Sequence, residues 1–162
     1  MTGQPSTTRV RVAMHLATCF SVGYAPIAPG TFGSAAGLIV YVLVAHLGAA
    51  ATIVAIVGIF AAGVWSGTIA EHELGGTDPG PVVIDEVVGM LITLAFIPVN
   101  VTGALAGFFV FRALDVVKPW PARRFEALHG GLGIMADDAM AAIYGNLIMR
   151  GLLAVAPAGW LA

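Results

Sequence analysis

Charge is scarce in this sequence. Only 10% of its 162 residues are Asp, Glu, Lys or Arg, against about 25% in ordinary soluble domains. No such residue occurs at positions 12–70, and two further uncharged runs cover 87–111 and 139–149. Since a helix needs about 20 mostly apolar residues to cross a bilayer, we expect an integral membrane protein.

The scarcity of basic residues and of cysteine argues against further functions. The formal net charge is −2, whereas a protein that binds nucleic acid needs a basic surface, so no nucleic-acid partner is expected. Cys19 is the only cysteine, which excludes an internal disulfide and a metal site of paired cysteines. Arg9 and Arg11 precede an apolar stretch that lacks the cleavage site of a signal peptide. We interpret these two arginines as a cytoplasmic anchor.

The residue pattern predicts an all-α fold. We expect one domain over 1–162, a compact helical membrane protein with short or re-entrant helices and a polar active site at one membrane face. The polar residues 1–11 are expected to be disordered. Helices are expected at about 12–25, 34–47, 50–70 and 138–156, with a rigid turn at 26–34 and a polar loop at 71–86.

The uncharged run 87–111 allows two topologies. Pro98 and Asn100 divide it into halves of about 16 Å if helical, each too short to cross a bilayer alone. The run forms either one kinked span or a hairpin that enters and leaves by the same face. The loop that follows is the most basic of the chain, and basic loops favour the cytoplasm. We favour the hairpin, because it keeps this loop inside and brings every acidic cluster to one face.

The acidic residues are concentrated beside apolar segments. Eight of the nine lie at positions 71–86, at Asp115 and in the pair Asp137/Asp138; the ninth, Glu126, is expected to be a solvated surface charge. Hard oxygen ligands from separate helices suit Mg²⁺ or Mn²⁺. A divalent cation would also offset the repulsion between adjacent carboxylates, so the sequence predicts a metal site.

Helix capping is the alternative explanation for Asp137 and Asp138. Acidic residues at the first turn of a helix interact favourably with its dipole and its free amide groups. For a single aspartate we would prefer capping. Because Asp85 and Glu86 form a second pair, we favour metal ligation for both pairs.

Arg112, Asp115 and Lys118 are spaced three residues apart, so they share one face of a helix. The carboxylate could hold a metal ion while the two cations bind phosphate oxygens. The alternative is an internal salt bridge with basic side chains that reach the membrane surface. The acidic clusters make phosphate binding the preferred interpretation.

The turn at 26–34 contains the hydroxyls of Thr31 and Ser34. These side chains can cap the following helix, while Gly30 and Gly33 allow close approach of the backbone to an anion at the helix N-terminus. We therefore count Thr31 and Ser34 as candidate substrate-binding residues. No lysine follows the glycines, so this is not a Walker A loop.

Several enzyme signatures are absent. The chain lacks a cysteine-phosphatase loop, the Asp-x-Asp of haloacid-dehalogenase-type enzymes, the Ser-Gly-His of histidine-dependent lipid phosphatases and the Asp-Gly of CDP-alcohol phosphatidyltransferases.

Four blocks nevertheless resemble the phosphatidylglycerophosphatase A family, in the family's order: PIAPGTFGS (26–34), DPGPVVIDEVVG (78–89), FRALDVVKPWP (111–121) and GGLGIMADD (130–138).

This resemblance implies an all-α enzyme that hydrolyses phosphatidylglycerophosphate to phosphatidylglycerol with Mg²⁺. It also implies a phospholipid substrate and a multi-pass location in the bacterial cytoplasmic membrane, with the active site facing the cytoplasm. Carried over by position, the resemblance marks acidic metal-ligating or catalytic residues and two basic partners: Asp78, Asp85, Glu86, Asp115, Asp137 and Asp138, with Arg112 and Lys118.

On this hypothesis the carboxylates hold one or two Mg²⁺ ions, and Arg112 and Lys118 stabilise charge on the phosphoryl group. The attacking nucleophile is either water or an aspartate. The rival function is a small divalent-cation transporter or channel, in which carboxylates line an ion path. The position of the acids at helix ends argues against that rival. Oligomerisation stays open, because glycine-rich helices pack within or between chains.

Overall fold

A computed structural model describes residues 7–162, and these residues form helices and loops without a strand. The predicted all-α fold is thereby confirmed. A short 3₁₀ turn at Val22–Tyr24 follows the first of seven helices: α1 Thr7–Ala17, α2 Pro29–Ala45, α3 Ala49–Leu74, α4 Ile84–Thr93, α5 Val101–Val117, α6 Ala122–Phe125 and α7 Gly131–Val155.

Helix α4 is the centre of the fold. Residues 84–91 are all buried, and the helix packs mainly against α2 and α7, with further contacts to α3 and α5. Fully burying an aliphatic side chain of this size contributes about 1.5–3 kcal/mol. A helix that is apolar on every side belongs inside a bundle. The two exceptions in its sequence, Asp85 and Glu86, therefore enter the protein interior with it.

Glycines on α2 allow that helix to lie close to α4. A Cβ atom at Gly33 would lie 2.8 Å from the Cβ of Val83, and one at Gly37 would lie 2.8 Å from the Cβ of Met90. Real Cβ atoms essentially never approach this closely. The glycine pattern that predicts a turn at 26–34 therefore marks the surface through which helix α2 contacts α4.

Helices α4 and α5 form an antiparallel hairpin. Gly89 faces Phe111 and Leu94 faces Gly107, so the beginning of α4 and the end of α5 lie at the same end of the bundle. The first part of α7 lies there too, because Asp137 bonds to Lys118 at the end of α5. All the acidic segments therefore meet at one end of the bundle.

The C-terminus of α4 lies inside the bundle and is stabilised by α7. The Asn146 side-chain amide donates hydrogen bonds to the carbonyl oxygens of Ile92, Thr93 and Ala95, at 2.9–3.1 Å. A helix end leaves carbonyl groups without partners. The Asn146 amide supplies hydrogen-bond partners at this end, so the ten-residue helix α4 can end in the protein interior.

Several predicted boundaries are wrong. Residues 7–11 are helical rather than disordered, while residues 1–6 lie outside the described part of the chain. Helix α2 begins at Pro29 without a side-chain cap, so the hydroxyl of Ser34 does not cap it and instead donates to the Gly30 carbonyl. Helix α7 begins at Gly131 rather than near Asp138.

The outer surface is suited to a membrane. Helices α3 and α7 are long and apolar enough to cross a bilayer, and α2 is a shorter apolar helix. Large apolar side chains such as Ile39, Val54 and Val57 are exposed on the outside of the bundle. Length and composition therefore agree with the predicted membrane protein.

Candidate active site and metal centre

Three carboxylates converge inside the bundle. Asp85 and Glu86 lie in the first turn of α4, and Asp138 lies in the second turn of α7. One oxygen from each lies within 4.8 Å of the others. The three residues are only 7%, 9% and 2% exposed, so their charges are removed from water.

Each of these carboxylates has a buried oxygen without a hydrogen-bond partner among the described residues, namely Asp85 Oδ1, Glu86 Oε2 and Asp138 Oδ2. An unpaired buried charge is strongly unfavourable unless a counter-ion or metal accompanies it. The positive end of the α4 dipole lies beside two of the acids, but a partial charge does not balance three. The donor set consists of carboxylate oxygens, the ligands that Mg²⁺ and Mn²⁺ prefer. These residues therefore fit a divalent cation.

Helix capping does not explain the pair Asp137 and Asp138. Helix α7 begins at Gly131, and its N-cap residue is Gly130, so both aspartates lie beyond the four free amide groups of the helix start. The alternative left open by the sequence is excluded for this pair.

Arg112 joins two of the acidic segments. Its guanidinium pairs with Asp115, lies 3.5 Å from Glu86 Oε1 and donates to the hydroxyl of Ser34 at 3.4 Å. The internal salt bridge considered for this helix face is therefore formed. Asp115 also lies close enough to Asp138 for their carboxylates to interact. Arg112 thus stands at the edge of the acidic centre.

Lys118 occupies a second position at the edge. Its ammonium group bonds to Asp137 and lies 3.5 Å from Glu126 Oε1. Burial lowers the pKa of Lys118, but the hydrogen bond and negative charge of Asp137 outweigh it and raise the pKa. Lys118 therefore remains charged. Glu126, expected to be a solvated surface charge, is 46% exposed at its side chain and pairs with this lysine.

The remaining candidates lie farther out. Asp78 is exposed in the loop before α4 and lines a cavity of about 230 Å³ together with Glu126 and Asp137. Thr31 is half-buried in the first turn of α2, one turn before Ser34. Neither residue belongs to the group of three converging carboxylates.

Gly30 has a role that sequence reasoning missed. A Cβ atom there would lie 3.0 Å from Arg112 Nη1 and still closer to Glu86 Oε1. The sequence suggested that Gly30 gives an anionic ligand room. In the structure it gives room to the salt bridge at the edge of the metal centre. The only signal for this role was the dense glycine spacing before an apolar helix.

Comparisons with known proteins cover most of the chain. The sequence model of the family described as phosphatidylglycerophosphatase A matches residues 15–153. The phosphatidylglycerophosphatase A of Escherichia coli K12 is 41% identical over 131 residues, which cover 79% of this chain and 76% of that protein. The Haemophilus influenzae protein of the same name is 39% identical over 137 residues, or 83% of this chain and 84% of that protein.

A further relative has a different name. A Bacteroides thetaiotaomicron protein, provisionally named a phosphatidylinositol-3-phosphatase, is 36% identical over 142 residues, covering 83% of this chain and 89% of its own length. No solved structure matches the chain. The relatives thus share names that refer to lipid phosphate monoesters.

Proposed function

Because the chain belongs to the phosphatidylglycerophosphatase A family, we propose that it hydrolyses phosphatidylglycerophosphate to phosphatidylglycerol and phosphate in phospholipid synthesis. The observation that supports this most directly is the buried group of Asp85, Glu86 and Asp138. Each has one buried oxygen without a hydrogen-bond partner among residues 7–162, and Arg112 lies 3.5 Å from Glu86. Such a group has the charge to bind a cation and a neighbouring guanidinium to bind a phosphate.

Asp85, Glu86 and Asp138 would hold the divalent cation, for which we propose Mg²⁺. When bound, that ion neutralises phosphate charge and lowers the pKa of a coordinated water. Bonds to Arg112 and Lys118 support a positioning role for Asp115 and Asp137, in addition to the metal-ligating role suggested by the sequence. Asp78 completes the proposed set as an outer ligand.

The two cations would bind and orient the phosphoryl group. Arg112 presents a planar fork of donors that matches phosphate oxygens, and Lys118 supplies a second positive charge. Ser34 already contacts the Arg112 guanidinium, and Thr31 lies one helical turn away. We assign all four residues to the phosphate-binding part of the site.

For localisation we propose a multi-pass protein of the bacterial cytoplasmic membrane with its active site on the cytoplasmic side. The starts of α4 and α7 and the end of α5 lie at one end of the bundle, as the contact of Gly89 with Phe111 and the bond of Asp137 to Lys118 indicate. Arg123 and Arg124 lie on the short helix α6, in the connection between α5 and α7 at the same end, and basic connections favour the cytoplasm.

Phosphate release by the purified protein tests this function. We expect release from phosphatidylglycerophosphate in mixed micelles, with Mg²⁺ required and excess EDTA abolishing it. Phosphatidylinositol-3-phosphate serves as the competing substrate, because a relative is named for it. Full turnover in EDTA would refute the metal site. Hydrolysis of the inositol lipid alone would reassign the substrate.

The rival function, a divalent-cation transporter or channel, predicts ion flux in liposomes without phosphate release. The positions of Arg112 and Lys118 argue against this rival, because both side chains lie beside the buried acids and would repel a passing cation. Flux that persists after Arg112→Ala, without phosphatase activity, would favour the rival.

A further inference from the structure

A cavity of about 230 Å³ adjoins the metal centre at the active-site end of the bundle. Its main lining residues come in pairs from the loop before α4, the segment after α6 and the first two turns of α7: Thr77 and Asp78, Glu126 and Leu128, Ile134 and Asp137. The three converging carboxylates of the metal centre do not line it. The cavity is therefore a separate space, which Asp137 joins to the metal centre as the residue before Asp138.

Lys118 connects this cavity with the phosphate-binding part of the site. Its ammonium group bonds to Asp137 and lies 3.5 Å from Glu126 Oε1, and both of these carboxylates line the cavity. The Lys118 side chain is 17% exposed, so a ligand can reach it. A phosphate bound by Lys118 therefore lies at the cavity wall, and the group esterified to that phosphate has room in the cavity.

The lining is suited to a neutral group that carries a hydroxyl. Ionised carboxylates only accept hydrogen bonds, and Asp78 and Glu126 lie close enough for their negative charges to interact. Such a wall repels a second phosphate group but accepts a hydrogen bond from a hydroxyl group. The side chains of Thr77 and Asp78 make no hydrogen bond with another described residue, so both are available to a ligand.

We propose that this cavity binds the glycerol of the lipid headgroup, with Thr77 and Glu126 as specificity-determining residues for its free hydroxyl. The inference rests on the proposed function. In phosphatidylglycerophosphate that glycerol is esterified to the phosphate that is removed, so it lies next to Lys118 when the phosphate is bound. The cavity thus distinguishes this substrate from phosphatidic acid, in which the phosphate is joined to diacylglycerol directly.

A substrate that lacks only the glycerol hydroxyl tests the specificity. The analogue carries a propanediol linker in place of the headgroup glycerol. We expect kcat/KM of the wild type to be about tenfold to a hundredfold higher for the natural lipid, since a hydrogen bond to a charged group has an effect of that size. A variant that combines Thr77→Val with Glu126→Gln should lose this preference. The altered contact of Glu126 with Lys118 acts on both substrates and cancels in the ratio.

Glu73→Gln is the matched control, because Glu73 is exposed and does not line the cavity. It should keep the preference of the wild type. Equal kcat/KM of the wild type for the two lipids would overturn the proposal. A preference that survives unchanged in the combined variant would overturn it as well.

Protection from a thiol reagent separates this inference from failure of the proposed function, because it needs no turnover. Single cysteines replace Thr77 or Glu73 in a background of Cys19→Ser and Asp138→Asn, which is expected to be inactive. Short-chain phosphatidylglycerophosphate at ten times its dissociation constant should slow labelling of position 77 about tenfold and leave position 73 unchanged. Phosphatidic acid should protect neither position. No protection of position 77, equal protection by phosphatidic acid, or protection by Mg²⁺ alone would each refute a headgroup site in this cavity.

Discussion

At the scale of single residues, the acidic centre combines what the sequence predicts with what it cannot. Paired carboxylates in a chain with little charge identify Asp85, Glu86 and Asp138 as candidates. Their convergence depends on a helix start at Gly131, seven residues before Asp138. The sequence also does not show which carboxylates face one another, as Asp138 and Asp85 do, and which face a cation, as Asp137 faces Lys118.

Asp138→Asn should abolish phosphatase activity and yet stabilise the metal-free protein. The substitution removes one of three mutually repelling buried carboxylates, while the residue keeps nearly the same volume. In the wild type, Mg²⁺ at about one hundred times its dissociation constant should add about 2.7 kcal/mol of stability, and the variant should lose most of that gain. Thermal unfolding in detergent, with EDTA or with Mg²⁺, measures both effects.

Glu73→Gln is the control for that experiment, because Glu73 is not one of the three converging carboxylates and its carboxylate lies 3.7 Å from the exposed His72. It should behave as the wild type does in both conditions. An equal response to Mg²⁺ in the wild type and in Asp138→Asn would show that this carboxylate does not ligate the ion.

Gly30→Ala should destabilise the protein and weaken the active site. The new methyl group would lie 3.0 Å from both terminal guanidinium nitrogens, Nη1 and Nη2, of Arg112, so Arg112 and Glu86 must move. Overpacking of this kind costs about 1–3 kcal/mol. Gly58→Ala is the matched control, because Gly58 is also helical but its Cβ would meet nothing within 4 Å. That control should be neutral or stabilising by up to about 1 kcal/mol. Equal unfolding temperatures for the two variants would contradict the close approach at Gly30.

At the scale of elements, interior helices were easier to predict than their ends. The break at Pro98 and Asn100 correctly separates α4 from α5, because proline and an N-capping side chain act locally. The sequence pattern predicts the starts of α2 and α7 too late, because glycine-rich segments resemble loops. At Gly131 a Cβ would lie 2.8 Å from the backbone nitrogen of Thr68. Glycine there reflects tertiary contact, which no local pattern contains.

The interior end of α4 depends on a side chain from another element. Asn146→Leu keeps a similar volume but removes the donors to Ile92, Thr93 and Ala95. The carbonyl groups of Ile92 and Ala95 keep a donor each, the Ala95 amide and Arg150, whereas the Thr93 carbonyl loses the one donor found for it among residues 7–162. A buried carbonyl group without a partner costs about 1–3 kcal/mol, so we expect a clear drop in the unfolding temperature. Tyr144→Phe on the same helix removes an exposed hydrogen bond to Trp120 and should have a much smaller effect. If the two variants lose equal stability, Asn146 is not the cap of α4.

At the scale of the whole molecule, the arrangement of the helices determines which ends lie together. The sequence predicted a hairpin over 87–111 from the charge of the following loop, and the antiparallel pair α4 and α5 agrees with it, although α5 continues to Val117. The chain after α7 returns to the opposite end of α5, where the Leu161 carbonyl accepts a hydrogen bond from the Asn100 amide. The active site and this tail therefore lie at opposite ends of the bundle.

Cysteine labelling in intact cells tests the proposed orientation across the membrane. Single cysteines replace Thr77 and Ala127 at the active-site end and Ala158 at the other end, all three exposed. The background carries Cys19→Ser, although burial and the charge of Glu86 already raise the pKa of Cys19 to about 12, which makes its thiol a poor nucleophile.

A membrane-impermeant thiol reagent should label position 158 from outside. Positions 77 and 127 should react only after the membrane is opened, because the substrate is expected on the cytoplasmic side. Labelling of position 127 but not 77 from outside would mean that α4 and α5 do not return to one face, and the shared site of Asp85, Asp115 and Asp138 would then be impossible.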